Sequence, residues 1–493
     1  MERKAVSGIM LTLMLTGILT LAFNIQSAKA SGTIYIRANG VVEGTDNIQR
    51  DGDYYTFTDN IYESIVIERD NIVVDGVGYT LQGTASGTGI DLSYRKNVTI
   101  KNMEIRLFYY GIKLAYSLSN SISGNNLKTN YISGIELWES SSNSISGNDI
   151  TERHSFGIKL DQSSNNNTIS GNDITENGWG IKLSSSNNNT ISGNNVAANE
   201  QDSIEVFYSS NNSIYGNNIA NSQKLGIMLS GSSNYNSIKG NNISNNGFGG
   251  IRLHSSLKNS VSGNNITDHT YGCAIKLEYS LNYTISGNNI ANNFWGISFG
   301  YSSNYNRIYT NNITNNDYGI GLSSSSFNSI FHNNFVNNGV LTTLPYLVNA
   351  WDDGYPSGGN YWSDYSTRYP GAQELDDSGI WDTPYVINVN NQDNYPLMEP
   401  WSPAPPIPTT IDELKTKIEE LSSQGEIDNQ GIVKSLICKL NTVQKLVDKE
   451  KIDEATKVLE DFITQVQELS GIHITVEAAD ILIKSAEYIL SQL

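Results

Sequence analysis

The sequence predicts an all-β parallel β-helix of about twelve coils, each 22–24 residues long, followed by a small all-α domain of four helices. Three observations predict it. The phrase Asn-(Ser/Thr)-Ile-x-Gly-Asn-Asn-Ile recurs ten times, from NSISGNNL at Asn120 to NSIFHNNF at Asn328. A second phrase, Gly-Ile-x-Leu, keeps the same step, as GIKL at Gly111, GIEL at Gly134, GIML at Gly226 and GIGL at Gly319. Near Thr410 the composition changes from Asn, Ser, Gly and Ile to Lys, Glu, Leu and Ile with helical spacing.

A fixed period in this range marks a solenoid. Asn, Ser, Gly, Thr and Ile favour turns and short strands over helices. The LxxLxLxxN pattern of leucine-rich repeats is absent, and helical repeats are longer. Two or three apolar beats per coil, separated by polar corners, suit three short strands in coils stacked about 4.8 Å apart. Ile122, Ile145, Ile169 and their equivalents then form one inward column. Another column is Asn in every copy: Asn125, Asn148, Asn172, Asn194, Asn217, Asn241, Asn264, Asn288, Asn311 and Asn333. Asn tolerates a left-handed backbone at a tight corner, and its amide bonds to the coils above and below. This row is read as structural, because a corner repeated in every coil needs the same solution each time.

In chain order, Arg3 and Lys4 precede an apolar run from Ile9 to Phe23, and Ala28-Lys29-Ala30 offers a small-x-small cleavage site. Residues 1–30 are expected to be a signal peptide with Ser31 as the mature start, so the product is expected to be secreted or held at the cell surface. Residues 31–60 are expected to cap the open first coil, whose edge must be covered. Residues 61–338 hold the coils, and residues 339–401, rich in Trp, Tyr, Gly and Asp, form a second cap. Pro400, Pro403, Pro405, Pro406 and Pro408 mark a stiff linker over 402–409. In residues 410–493, Thr410 to Glu413 reads as a capping box. Apolar stripes follow at Ile411, Leu414, Ile418 and Leu421, at Leu436, Leu440, Val443 and Val447, and at Ala455, Leu459, Phe462 and Val466. A fourth helix starts at the Thr475 cap. These stripes are read as a four-helix core, with a protein partner for the tail as the lesser reading.

The net charge of −19 argues against a nucleic-acid partner, whose phosphates need Lys and Arg, and suits a surface protein. Cys273 and Cys438 give no disulfide framework. No stretch after the N-terminal run is apolar enough to span a membrane.

The run GYTLQGTASGTGIDLSYRKNVTIKNMEI, the NTISGNNI coils and the ending WDDGYPSGGNYWSDY…DTPYVI…NQDNYPLMEPW resemble the NosD-type (periplasmic copper-binding) β-helix proteins, in their archaeal exported form, over about residues 33–401. The resemblance implies a right-handed parallel β-helix with pectin-lyase-like repeats. The tail, with SLICKLNTVQKLVDKEKIDEATKVLEDFITQVQELSGIHIT, resembles the FIMAH helical domain, which brings no chemistry with it.

Copper wants His, Met and Cys together. His154, His254, His269, His332 and His473 fall at different coil positions and the six Met are scattered, so the residues give copper handling little support. Cleavage of acidic polysaccharides needs a carboxylate pair in hydrolases, or a base beside Ca²⁺-binding acids in lyases. Asp149 and Asp173 share a column on adjacent coils, and Glu152 and Glu176 repeat this at the next corner. They are the catalytic candidates; the plainer reading is drift at an exposed Asn column. Asp376, Asp377 and Asp382 are candidate Ca²⁺ ligands, although their loop does not match the D-x-[DN]-x-[DN]-G pattern.

The x of Gly-Ile-x-Leu points outward and reads Asp91, Lys113, Glu136, Lys159, Lys182, Glu205, Met228, Arg252, Lys276. Opposite charges on neighbouring coils form a ladder contributing at most about 1 kcal/mol per pair. Aromatics carry the functional expectation. Trp138, Phe207, Tyr208, Tyr279 and Tyr301 follow that phrase and are expected along one exposed edge, where they could stack sugar rings. Tyr110, Phe156, Trp179, Trp295 and Tyr318 precede it, share parity with the inward Ile and are expected in the core. Sequons at Asn97, Asn166, Asn188, Asn211, Asn242, Asn265, Asn282 and Asn312 offer glycosylation sites, though so Asn-rich a chain makes them by chance. The expectation is a non-enzymatic exported protein that binds a polysaccharide or surface glycan, or acts as a spacer. A lyase or hydrolase acting on acidic glycans is the alternative, and copper handling the third reading.

Overall fold

A computed structural model describes residues 32–152, 154–339, 342–343, 346–402 and 408–493. The expected signal peptide, its cleavage site and Pro403, Pro405 and Pro406 lie outside the described residues. The chain forms two compact units, one ending at Trp401 and the other starting at Ser402.

The first unit is a parallel β-helix whose three sheets hold 15, 14 and 13 strands. From Ile65–Ile67 to Asn334–Val336 the strands fall into twelve triplets, one strand per sheet in each coil. These are the twelve coils expected between Ile61 and Asn338. Both ends extend the stack: Ile34–Ile36 pairs in parallel with Ile65–Ile67, and Tyr361–Trp362 with Asn334–Val336. At the N-terminal end Val42–Glu43 and Ile48–Asp51 pair antiparallel with their neighbours, which interrupts the parallel edge.

Within each coil the pattern is one Ile inward between two polar neighbours. Ile122, Ile145, Ile169, Ile191, Ile214 and Ile238 are fully buried, stacked in register along the second sheet. The Asn column is buried too, each residue 0–1% exposed from Asn125 to Asn333. Asn194 shows its bonding. Its Oδ1 accepts from the Asn172 backbone N–H (3.0 Å) and Asn172 Nδ2 (2.9 Å). Its Nδ2 donates to the Ile169 and Ser192 carbonyls and to Asn217 Oδ1. The amides therefore bridge coils as expected. The left-handed backbone belongs to a different residue: the preceding glycine, from Gly124 (φ 63°) to Gly287 (φ 63°), takes the corner. Asn fills this column for its side chain, which supplies both a donor and an acceptor to buried backbone.

Three further polar columns are buried. One runs through Asn120, Asn143 and Asn167, where the 283 position is a buried Tyr whose hydroxyl takes Asn259 Nδ2 (2.5 Å). A second passes through Asn130, His154, Asn177 and, further along, His269 and Asn293. A third is Ser117, Ser140 and Ser164 and their successors.

The phrase Gly-Ile-x-Leu breaks strict alternation. Gly111 and Ile112 are both buried, and a Cβ on Gly111 would meet the Gly134 carbonyl and the Leu127 side chain. Two consecutive inward residues reverse the parity of whatever precedes them. Tyr110, Phe156, Trp179, Trp295 and Tyr318, expected in the core, are therefore half-buried on the outer face of the first sheet.

Aromatic residues close the C-terminal end. Phe335 of the last coil stacks on Trp362 (4.5 Å between centroids), which stacks on Tyr385 (4.2 Å). Buried Asp393 accepts from the Asn360 N–H (2.7 Å), Trp362 Nε1 (2.9 Å) and the Tyr395 N–H (3.1 Å). Burial outweighs these donors and pushes its carboxyl up to about 7.

The second unit has helices at Ile411–Ser423, Gln430–Val447, Ile452–Leu469 and Val476–Leu490. The Thr410–Glu413 capping box forms with both bonds present. Leu414, Ile418, Leu436, Leu440, Leu459, Phe462 and Leu482 share one apolar core, as the stripes require. Among the described residues no helix is long and apolar enough to cross a membrane, which says nothing of strand-built barrels.

Candidate functional site

The outer face of the first sheet carries three columns of side chains, one per coil. The first holds the aromatics that precede Gly-Ile-x-Leu. Phe156 stacks on Trp179 (5.1 Å) and Trp295 on Tyr318 (4.2 Å). The second is the charged column, in register from Lys113 through Glu136, Lys159, Lys182, Glu205, Met228 and Arg252 to Lys276. Lys159 reaches Glu136 (3.6 Å) and Asp161 (2.8 Å), and Lys182 reaches Glu205 (2.9 Å). Lys159 and Lys182 are like-charged neighbours, and both ammonium groups lie over the Phe156 ring (5.6 and 5.7 Å). The third column holds Trp138 and Phe207, with Asp161 and Ser184 between them.

The expected aromatic strip is not one continuous edge. Trp138 and Phe207 end their strands, whereas Tyr208, Tyr279 and Tyr301 sit one residue later at left-handed corners (φ 48°, 52° and 53°). That corner column also contains Tyr94 and Tyr116, stacked at 5.1 Å. Sequence reasoning missed this pair, although each stands two residues after its GIDL or GIKL, the offset of Tyr279 and Tyr301. Glu139, Gln162, Ser185, Gly231 and Ser255 interrupt the column, leaving three patches. Tyr279 and Tyr301 stack on each other (5.0 Å), so part of their ring faces is already occupied.

The paired carboxylates are brought together. Asp149 and Asp173 are register partners on the outer face of the third sheet. Asp173 accepts from Asn195 Nδ2 (2.8 Å), and the exposed amides continue through Asn218, Asn242 and Asn265. Burial and then the Asp173 charge push the Asp149 carboxyl up. Glu152 and Glu176 occupy left-handed corners (φ 66° and 57°), and Glu152 accepts from Thr129 Oγ1 (3.2 Å). The Ca²⁺ candidates do not converge. Asp376 takes the Tyr355 hydroxyl (2.6 Å), Asp382 takes the Gln373 N–H (3.1 Å) and Thr383 Oγ1 (2.9 Å), and Asp377 occupies a left-handed turn. Among the described residues no group of three or more His, Cys, Asp or Glu could hold a metal ion. All eight sequon asparagines are exposed.

These features define a class: a parallel β-helix with a decorated outer face, in a chain that also carries a four-helix domain. Residues 24–225 and 194–367 match the family model for Periplasmic copper-binding protein (NosD), and the chain belongs to that family. Residues 411–491 match the FIMAH domain. No functionally curated protein matches the chain. Among solved structures, the Dettilon tailspike protein is similar at 19% identity and TM-score 0.44, over 51% of this chain and 60% of that one. The chain thus spans less than two thirds of the tailspike. The Azotobacter vinelandii mannuronan C-5 epimerase AlgE4 A-module is similar at 13% identity and TM-score 0.45, over 59% and 91%. The periplasmic alginate epimerase AlgG is similar at 14% identity and TM-score 0.35, over 64% and 84%.

The residues present do not fit copper. His154 and His269 are buried in an Asn column: His154 bonds the Leu127 carbonyl (3.0 Å) and His269 bonds Asn293 (2.8 Å). Desolvation holds both rings below the usual imidazole range. His254 packs edge-on to Tyr279, His332 stacks on Trp401 and His473 pairs with Asp428. Each imidazole has a local partner, and no two share a site.

Proposed function

We propose that this is an exported surface protein that binds a polysaccharide along the outer face of its first sheet. One observation carries the reading: aromatic and charged side chains stand in parallel, registered columns along that face, at the coil spacing of about 4.8 Å. A linear glycan is a repeating ligand of matching shape, and aromatic rings with nearby hydrogen-bonding groups suit sugar rings. Retention of the mature chain on insoluble and acidic polysaccharides tests it. Replacing Trp138 and Tyr208 together by Ala is expected to weaken retention about tenfold. Unchanged retention refutes the role given to these rings.

The raised Asp149 carboxyl beside Asp173 favours a second reading, cleavage of an acidic glycan. It predicts reducing ends or unsaturated sugars in the supernatant, lost when both residues become Asn. Release that continues in the double variant removes this site.

A further inference from the structure

Midway along the first sheet the column of large rings is interrupted. Between Trp179 and Trp295 the equivalent positions are Asp202, Leu225, Gly249 and Cys273. Losing the rings opens a cleft of about 480 Å³ whose lining includes Glu205, Met228, Arg252 and Lys276. Asp202, Lys224 and Phe248 line it too. Its volume is in the range of small-ligand sites, roughly 300–1,000 Å³.

The charges in and around it are unusual for this chain. Lys182 pairs with Glu205 (2.9 Å), while Arg252 and Lys276 share the single carboxylate of Glu278 (2.5 and 2.8 Å). Lys224 is exposed and makes no ion pair among the described residues. The lining of the cleft thus carries three cations, Lys224, Arg252 and Lys276, and two carboxylates, Asp202 and Glu205, in a protein of net charge −19. Asp202 is half-buried, with one oxygen taking the Leu225 N–H (3.0 Å), and burial raises its carboxyl. Phe248 is 65% exposed, and no other ring stacks on it among the described residues. Its faces are open, unlike those Tyr279 and Tyr301 turn toward each other.

We infer that this cleft binds a sugar ring bearing a carboxylate, as in a uronic-acid polymer. Lys224, Arg252 and Lys276 receive the carboxylate, Phe248 lies against the ring, and Asp202 and Glu205 take its hydroxyls. The inference rests on the glycan-binding reading and narrows it to one place and one ligand class. Cations in excess of their partners leave charge that only an anionic ligand completes, and an unstacked ring beside them supplies the apolar contact a pyranose needs.

Calorimetric titration of the full mature chain with hexagalacturonate, and with maltohexaose as the neutral control, tests it. Hexagalacturonate is expected to bind at least tenfold more tightly than maltohexaose. Lys224→Gln and Phe248→Ala, both at exposed positions and so compatible with folding, are each expected to weaken it about tenfold. Equal affinity for the two hexamers, or unchanged hexagalacturonate binding in the Lys224→Gln, Phe248→Ala double variant, overturns the cleft assignment. If the chain is retained on an insoluble neutral glycan but binds no hexagalacturonate, the cleft inference fails and the wider reading stands. If it is retained on no glycan, both fail.

Discussion

The buried Asn columns carry a sharp energetic consequence. Asn194 makes five side-chain hydrogen bonds in a site 1% exposed. Asn194→Ala leaves the Asn172 N–H without the acceptor it has now and removes a donor from the Ile169 carbonyl. A buried group stripped of its partner costs about 1–3 kcal/mol. With a small cavity added, the β-helix is expected to lose about 3 kcal/mol. Asn194→Asp is expected to cost more at pH 7, because it sets a carboxylate oxygen against the Asn217 Oδ1 and Ile169 carbonyl that now receive the amide. Asn218, one residue from the next amide in the column, donates to Asn195 Oδ1 on the exposed face, so Asn218→Ala is expected to cost no more than about 0.5–1 kcal/mol. Tryptophan fluorescence during urea unfolding measures this cleanly, since all seven Trp lie between Trp138 and Trp401, none in the helical domain. A loss under about 1 kcal/mol for Asn194→Ala, or equal losses at 194 and 218, refutes the argument that the amides hold the coils together.

Two further outcomes follow from the same geometry. The Asp393 carboxyl, raised to about 7 in the folded cap, adds stability that is complete below the unfolded value near 3.9 and is lost as pH rises through 7. The difference in unfolding free energy between wild type and Asp393→Asn is therefore expected to shift by a few kcal/mol, toward the variant, between pH 4 and pH 8; a difference independent of pH refutes it. Gly193 and Gly180 separate strain from clash. Gly193 is left-handed (φ 63°), and a Cβ there would meet only the Gly171 backbone nitrogen at an ordinary van der Waals distance of 4.0 Å, so Gly193→Ala is expected to cost about 1–2 kcal/mol. At Gly180 a Cβ would strike the Ser203 carbonyl and Val196, and Gly180→Ala is expected to cost more, by the same fluorescence assay; the reverse order is the contrary result.

Periodicity made the solenoid legible because each coil must solve the same packing problem, so the solution is written once per coil. The inward Ile, the coil count between Ile61 and Asn338 and the four helices after Thr410 were all readable from spacing. Direction was harder to read. Strict alternation placed Tyr110, Phe156 and Trp179 in the core, and only the glycine after each, which lets two neighbours point inward, turns them out to solvent. The Asn column was read at the left-handed corner, where the backbone instead assigns Gly, since one residue supplies the amide and the other the φ.

What the sequence by itself determined is the repeat, and with it the fold: local choices of turn residue and strand residue recur at one period, and stacking is the way such coils bury their apolar side. What the tertiary structure decided is which side chains from different coils become neighbours. Asp202, Lys224 and Phe248 meet because coils stack about 4.8 Å apart and the missing rings leave room, a relation between residues 22 and 24 positions apart along the chain that no single stretch of it contains.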